Sequence, residues 1–183
     1  MDNFDELFKK ANQGAGKQFQ EEGREVVEMN QSKTIEIIPT GKEIELFTTG
    51  TNGCTLVLAI AKKDSGEVFA HLSHFDPTLL TEQIDELQKL INRKINSLSL
   101  IIITRGDYVK KGEKYVMETT TDSQKEIEKI VSIAESVDFN VIKVLPYSTG
   151  IVVGQARETR FQISRKNNET TAKVMWWKGT ETL

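Results

Sequence analysis

Cys54, His71 and His74 are the residues of this chain whose types and order suggest chemistry, because a thiol beside an imidazole can supply a nucleophile together with its base. The chain has one cysteine and two histidines, and both histidines follow the cysteine closely. A loop of small, turn-forming residues, Thr48-Thr49-Gly50-Thr51-Asn52-Gly53, leads into Cys54. Such a loop leaves open space and free backbone N–H groups, so Thr51, Asn52 and Gly53 are candidates to line an oxyanion or substrate loop. The plain structural alternative is that Cys54 is a small apolar residue at the start of a buried strand, where free cysteines are common. Three ligands without a Cys-x-x-Cys partner fall short of the N/S set that zinc takes. No metal and no cofactor are expected.

Flanking segments must position these groups. Cys54 to Ala61 is an apolar run of strand length, Lys62 to Gly66 is a polar turn, and Glu67 to Leu72 returns as a second strand, so a hairpin brings the histidines back toward the cysteine. The register of that hairpin decides which histidine arrives. With a five-residue turn, Ala61 pairs with Glu67 and Cys54 lies opposite His74; a bulge or longer turn shifts this toward His71.

Upstream, Thr34 to Ile38 and Glu43 to Phe47 alternate like half-buried strands around Pro39-Thr40-Gly41 and predict a hairpin. Downstream, Asp76-Pro77 starts a helix over about 77–94 with Leu80, Ile84, Leu87 and Ile91 on one face. Ser97 to Thr104 is an apolar strand, and Asp122 caps a helix bearing Ile127, Val131, Ala134 and Val137. Asn140 to Leu145, Gly150 to Gly154, Thr159 to Arg165 and Thr171 to Trp177 complete the strands. The order predicts an α+β fold, a mixed β-sheet or sandwich with two main helices packed on one side. Residues 1–33 are polar apart from a short helical stripe of Phe4, Leu7 and Phe8, and read as a peripheral helical arm on a single domain over 34–183.

Composition narrows the functional classes. A 38% apolar and 28% charged chain of 183 residues is long enough to bury a core. Its net charge of −3, with both signs interspersed, offers no basic stripe for nucleic acid. The longest apolar run is too short to span a bilayer and no signal segment is evident, so membrane insertion is not expected. A single cysteine needs no oxidising compartment, which points to the cytoplasm or to an exported effector without a standard signal peptide.

The Thr48 to Cys54 segment, with threonine six positions before the cysteine and His71 seventeen after it, resembles the CheD-type chemoreceptor glutamine deamidases. Asn52-Gly53-Cys54 also resembles the Gly-Cys of cytotoxic-necrotizing-factor-type deamidases, which share that fold. The element order from Phe47 to Val174, with Ser148-Thr149-Gly150 and Arg157, is similar as well. The resemblance implies a cysteine-dependent protein glutamine deamidase. Cys54 would attack the side-chain amide of an exposed Gln on a protein substrate, and His71 would act as base, with His74 as runner-up. Thr48 would orient the imidazole or hold the substrate amide, and an N–H at Gly53 or Cys54 would stabilise the oxyanion. The alternative function is a non-catalytic protein-interaction domain that retains the fold.

Overall fold

The computed structural model describes residues 23–149 and 157–183. The first strands are β1 (Arg24–Val26), β2 (Gln31–Glu36) and β3 (Thr40–Thr48). They are followed by β4 (Thr55–Lys62), β5 (Val68–Phe75), α1 (Leu80–Ile91), β6 (Ser97–Lys111) and β7 (Lys114–Thr119). The remaining elements are α2 (Thr121–Ala134), β8 (Asp138–Tyr147), β9 (Thr159–Lys166), β10 (Glu169–Trp176) and β11 (Gly179–Thr182). One sheet runs β1-β3-β9-β10-β11. The other runs β2-β5-β4-β6-β7, with β8 also paired to β6 in parallel.

Three layers result, and the alternation of β4 shows why. Leu56, Leu58 and Ile60 point between the sheets, where they meet Leu72, Ile101, Ile103, Phe161 and Ile163. The intervening Val57, Ala59 and Ala61 point the other way, against Leu87, Leu90, Ile130 and Ala134 of the two helices. A strand buried on both faces reads as a continuous apolar run, as β4 does. The fold is therefore α+β, a two-sheet sandwich with both helices on the outer face of the second sheet.

Several expectations are corrected. β2 and β3 do not form a hairpin: β2 pairs with β5 in the helix-covered sheet, whereas β3 crosses to pair with β9 in the other. Pro39-Thr40-Gly41 is thus a corner between sheets, with Gly41 at φ +75°, and the crossing lets Leu46 and Phe47 both be buried. The domain begins before residue 34. Arg24–Val26 pairs in parallel with Glu45–Phe47, Val27 is buried, and β2 starts at Gln31. The proposed helical stripe at Phe4, Leu7 and Phe8 and the strand over 150–154 lie outside the described residues.

Side chains cap the 3-10 turn that precedes α1 and the start of α2. Asp76 accepts from the Thr78 N–H at 2.9 Å and opens a short 3-10 turn over Pro77–Leu79 that leads into α1. For α2 the cap is Thr120 and not Asp122: Thr120 is extended (φ −67°, ψ 161°), as a capping residue must be, and its Oγ1 accepts from the Ser123 N–H at 3.1 Å. The buried face of α2 is also turned from the expected one, to Ser123, Glu126, Ile130 and Ala134. Polar contacts explain this. Glu126 accepts from Thr55 Oγ1 at 2.9 Å and pairs with Arg105, while Thr55 also meets Thr104 at 2.9 Å. A hydropathy stripe does not reveal a buried carboxylate whose partners stand on other strands.

Candidate active site

The β4–β5 ladder places the two histidines. Its register pairs Leu56 with His74, Leu58 with Leu72, and Ala59 with His71. Residues directly opposite in an antiparallel pair share a face, and neighbours along a strand alternate. His74 therefore lies on the side of Leu56, between the sheets, and His71 on the side of Ala59, under the helices. Continuing the alternation back from Thr55 carries Cys54 to the side of His74. Cys54 itself stands one residue before the first pair of the ladder, and no hydrogen bond joins its sulfur to His74 Nε2. His71 is opposite a residue five positions along β4 from Cys54, which is about 17 Å of strand, and on the wrong face. The reading of His71 as the base is thus corrected. The expected register is corrected too: the five-residue turn is 63–67 and not 62–66, so Ala61 pairs with Phe69 and not with Glu67, which carries the position opposite Cys54 two residues past His74 and further from His71.

Thr48, at the end of β3 in the facing sheet, meets His74 and not His71: its Oγ1 is 2.7 Å from His74 Nδ1. Both side chains are fully buried, and His74 Nε2 has no protein partner among the described residues. For Nε2 to act as an acceptor the proton must sit on Nδ1, and the Thr48 hydroxyl oxygen is placed to accept it. Next to Thr48, the ladder puts Thr159 of β9, also buried, whose hydroxyl has no hydrogen-bond partner among the described residues. His71 has a contact of its own, Thr34 Oγ1 at 2.8 Å from Nδ1, on β2 beneath α1.

The loop before Cys54 is shaped by two left-handed glycines, Gly50 at φ +77° and Gly53 at φ +90°, conformations that residues with a Cβ rarely adopt. Asn52 turns its backbone N–H toward the Cys54 sulfur, and Gly53 turns its own toward the Tyr147 hydroxyl. Tyr147 in turn donates to the Cys54 carbonyl at 2.5 Å, and Arg157 Nη1 reaches the Thr51 carbonyl at 3.4 Å. The guanidinium also lies over the rings of Tyr147 and Trp177. Thr51 is buried, and its hydroxyl has no hydrogen-bond partner among the described residues. Thr51, Asn52 and Gly53 thus sit against Cys54, held from β8 by Tyr147 and from the start of the last strands by Arg157. Tyr147 and Thr159 escaped the sequence reading, since a tyrosine closing a strand and a threonine opening one carry no signal of what they face.

Electrostatics differ from a preformed ion pair. Burial pushes the Cys54 thiol up to about 11, with Asp76 adding to the rise; the Asn52 N–H and Arg105 pull it back only in part. Burial also holds His74 at about 4. The lowered thiol pKa that a charged imidazole would produce is therefore absent, because this imidazole is itself too desolvated to charge at neutral pH. At neutral pH both the thiol and the imidazole are therefore uncharged. Among the described residues no cluster of three or more His, Cys, Asp or Glu has the arrangement of a metal site, and no helix is long and apolar enough to cross a membrane.

No protein-family model and no curated protein matches this sequence. Among solved structures, the chain is similar to the C-terminal domain of CNFy from Yersinia pseudotuberculosis, with 13% sequence identity and a TM-score of 0.40. The match covers 88% of this chain and 61% of that one, so this chain spans about three-fifths of the length of the domain it resembles.

Proposed function

We propose that this domain hydrolyses the side-chain amide of glutamine on a protein substrate, with Cys54 as nucleophile, His74 as base and Thr48 as the residue that orients the imidazole. The observation that carries the reading is the Thr48–His74 contact at 2.7 Å, on the sheet face to which the pleat brings Cys54. In the first step His74 Nε2 takes the thiol proton as the sulfur attacks the amide carbon, so no thiolate need accumulate beforehand. The oxygen of the tetrahedral adduct gains the negative charge, which a backbone N–H of the 51–54 loop would stabilise on turning from its resting partner. Collapse breaks the C–N bond, and the proton on Nε2 leaves with ammonia. Water then gives up a proton to Nε2 and attacks the thioester, releasing a glutamate side chain and restoring the thiol.

A second reading, a non-catalytic interaction domain that retains the fold, is favoured by the burial of Cys54, which is only 2% exposed. Ammonia release from a blocked glutaminyl dipeptide and from candidate glutamine-bearing proteins, with mass spectrometry for the gain of about one dalton per converted amide, separates the two. Release that disappears in Cys54→Ser and in His74→Gln but survives in His71→Gln supports the enzyme. Activity that depends on His71 and ignores His74 refutes the assignment of the base, and no release from any substrate leaves the interaction domain as the reading.

A further inference from the structure

Beyond residue 105, β6 leaves the body of its sheet and, among the described residues, pairs only with β7, from Gly106–Thr119 to Lys111–Lys114, as a two-stranded ribbon. Four of the six large apolar side chains that stand exposed among the described residues are on it: Tyr108, Val109, Tyr115 and Val116. Among those residues β7 has no strand partner other than β6, so one row of its backbone donors and acceptors is unpaired. Such an edge is a template for another strand.

The ribbon is also paired against itself in charge. Lys111 is directly opposite Lys114, and Asp107 directly opposite Glu118, and like charges in those positions destabilise a ladder. All four lie on one face, with Val109 and Val116 between the basic end and the acidic end. Lys111 reaches along that face to Glu118, but Lys114 and Asp107 have no ion pair among the described residues.

We infer that the β7 edge pairs with the β7 edge of a second copy of this chain, antiparallel about a two-fold axis at Val116. That register sets Lys114 beside the partner's Glu118, Val116 beside its own counterpart, and Glu118 beside the partner's Lys114. One face of the resulting four-stranded ribbon then reads, in successive rows across the strands, Lys-Lys-Glu-Asp, four valines, and Asp-Glu-Lys-Lys. Both like-charge pairs gain opposite neighbours, and the apolar centre is continuous. On the other face Met117 comes between Tyr108 of its own chain and the partner's Tyr115, a sulfur–aromatic arrangement. An isologous contact of this kind needs the strand to complement itself, which the order Lys-Tyr-Val-Met-Glu over 114–118 does.

Sedimentation of the full chain tests this, with thermal unfolding of each variant to show that the exposed ribbon changes leave the domain folded. The wild type is expected to dimerise. Lys114→Glu and Glu118→Lys should each weaken dimerisation at least about tenfold, because each change is made twice across the axis, while the double reversal restores it. In a Cys54→Ser background, Val116→Cys should oxidise to a cross-linked dimer, since directly paired antiparallel residues have Cα spacings of about 4.5–5.5 Å, within disulfide reach. Tyr115→Cys, which faces Met117 in this register, should not. A protein that stays monomeric at every accessible concentration overturns the inference, as does a dimer indifferent to both single reversals or one that cross-links as well through position 115. None of these outcomes depends on whether Cys54 is catalytic.

Discussion

Acidification from pH 7.5 to pH 5 should remove a large part of this domain's stability, and the two histidines are the reason. His71 and His74 are fully buried, and burial brings each from an ordinary 6.5 to about 4; at His71 Glu86 opposes the change and Arg93 adds to it. Between those two pH values the unfolded chain binds a proton that the folded imidazole refuses, so stability is fully present above pH 6.5 and falls as the pH drops toward 4. Each pH unit within that window costs about 1.36 kcal/mol per histidine. Reaching pH 5 crosses about 1.5 units, which gives about 2 kcal/mol for each and about 4 for the pair, against a typical domain stability of about 5–15 kcal/mol. Hydrogen bonds hold Asp76 and Glu86 below their ordinary values, so their contribution is present above 3.8 and 4.5 and is lost only at lower pH. Urea unfolding at the two pH values measures the difference, and His71→Gln or His74→Gln should each remove about half of it. A domain equally stable at pH 5, or one whose loss survives both substitutions, would refute the claim that these imidazoles are buried neutral.

Two further outcomes follow from the site's supports. Tyr147→Phe leaves the buried Cys54 carbonyl without its donor and should cost about 1–3 kcal/mol in urea unfolding, with faster alkylation of Cys54 by iodoacetamide as the 51–54 loop loosens; an unchanged alkylation rate counts against Tyr147 as the residue that holds the loop. Gly106→Ala places a Cβ 2.4 Å from the Glu118 carbonyl oxygen and 2.7 Å from Pro146 Cβ, so the root of the ribbon must shift, at a cost of about 1–3 kcal/mol that thermal unfolding will show; a neutral result means that β7 and β8 give way easily there.

Much of the scaffold was legible because its signals are local. The apolar run of β4, the polar turn after it, the Asp76 cap and the strand-helix-strand order of the centre depend on side chains close in sequence, and the α+β class follows from them. The turns before Cys54 were legible too, since Gly50 and Gly53 both take the left-handed backbone that glycine permits. Other features were carried by distant partners. The corner at Pro39-Thr40-Gly41 looks like a hairpin turn until the other strands of both sheets are present to claim β2 and β3 separately. Glu126 looks like a surface carboxylate until Thr55, Thr104 and Arg105 surround it.

The sequence by itself determined that a cysteine and two histidines would be returned to one hairpin, because an apolar strand, a turn and a second strand can fold back in few ways. It did not determine which histidine. A pleated ladder sends alternate residues to opposite faces, so the choice between His71 and His74 rests on a register and on which face the second sheet covers. Only the tertiary structure supplied those, by bringing Thr48 across from the facing sheet to His74 and leaving His71 with Thr34 beneath the helices.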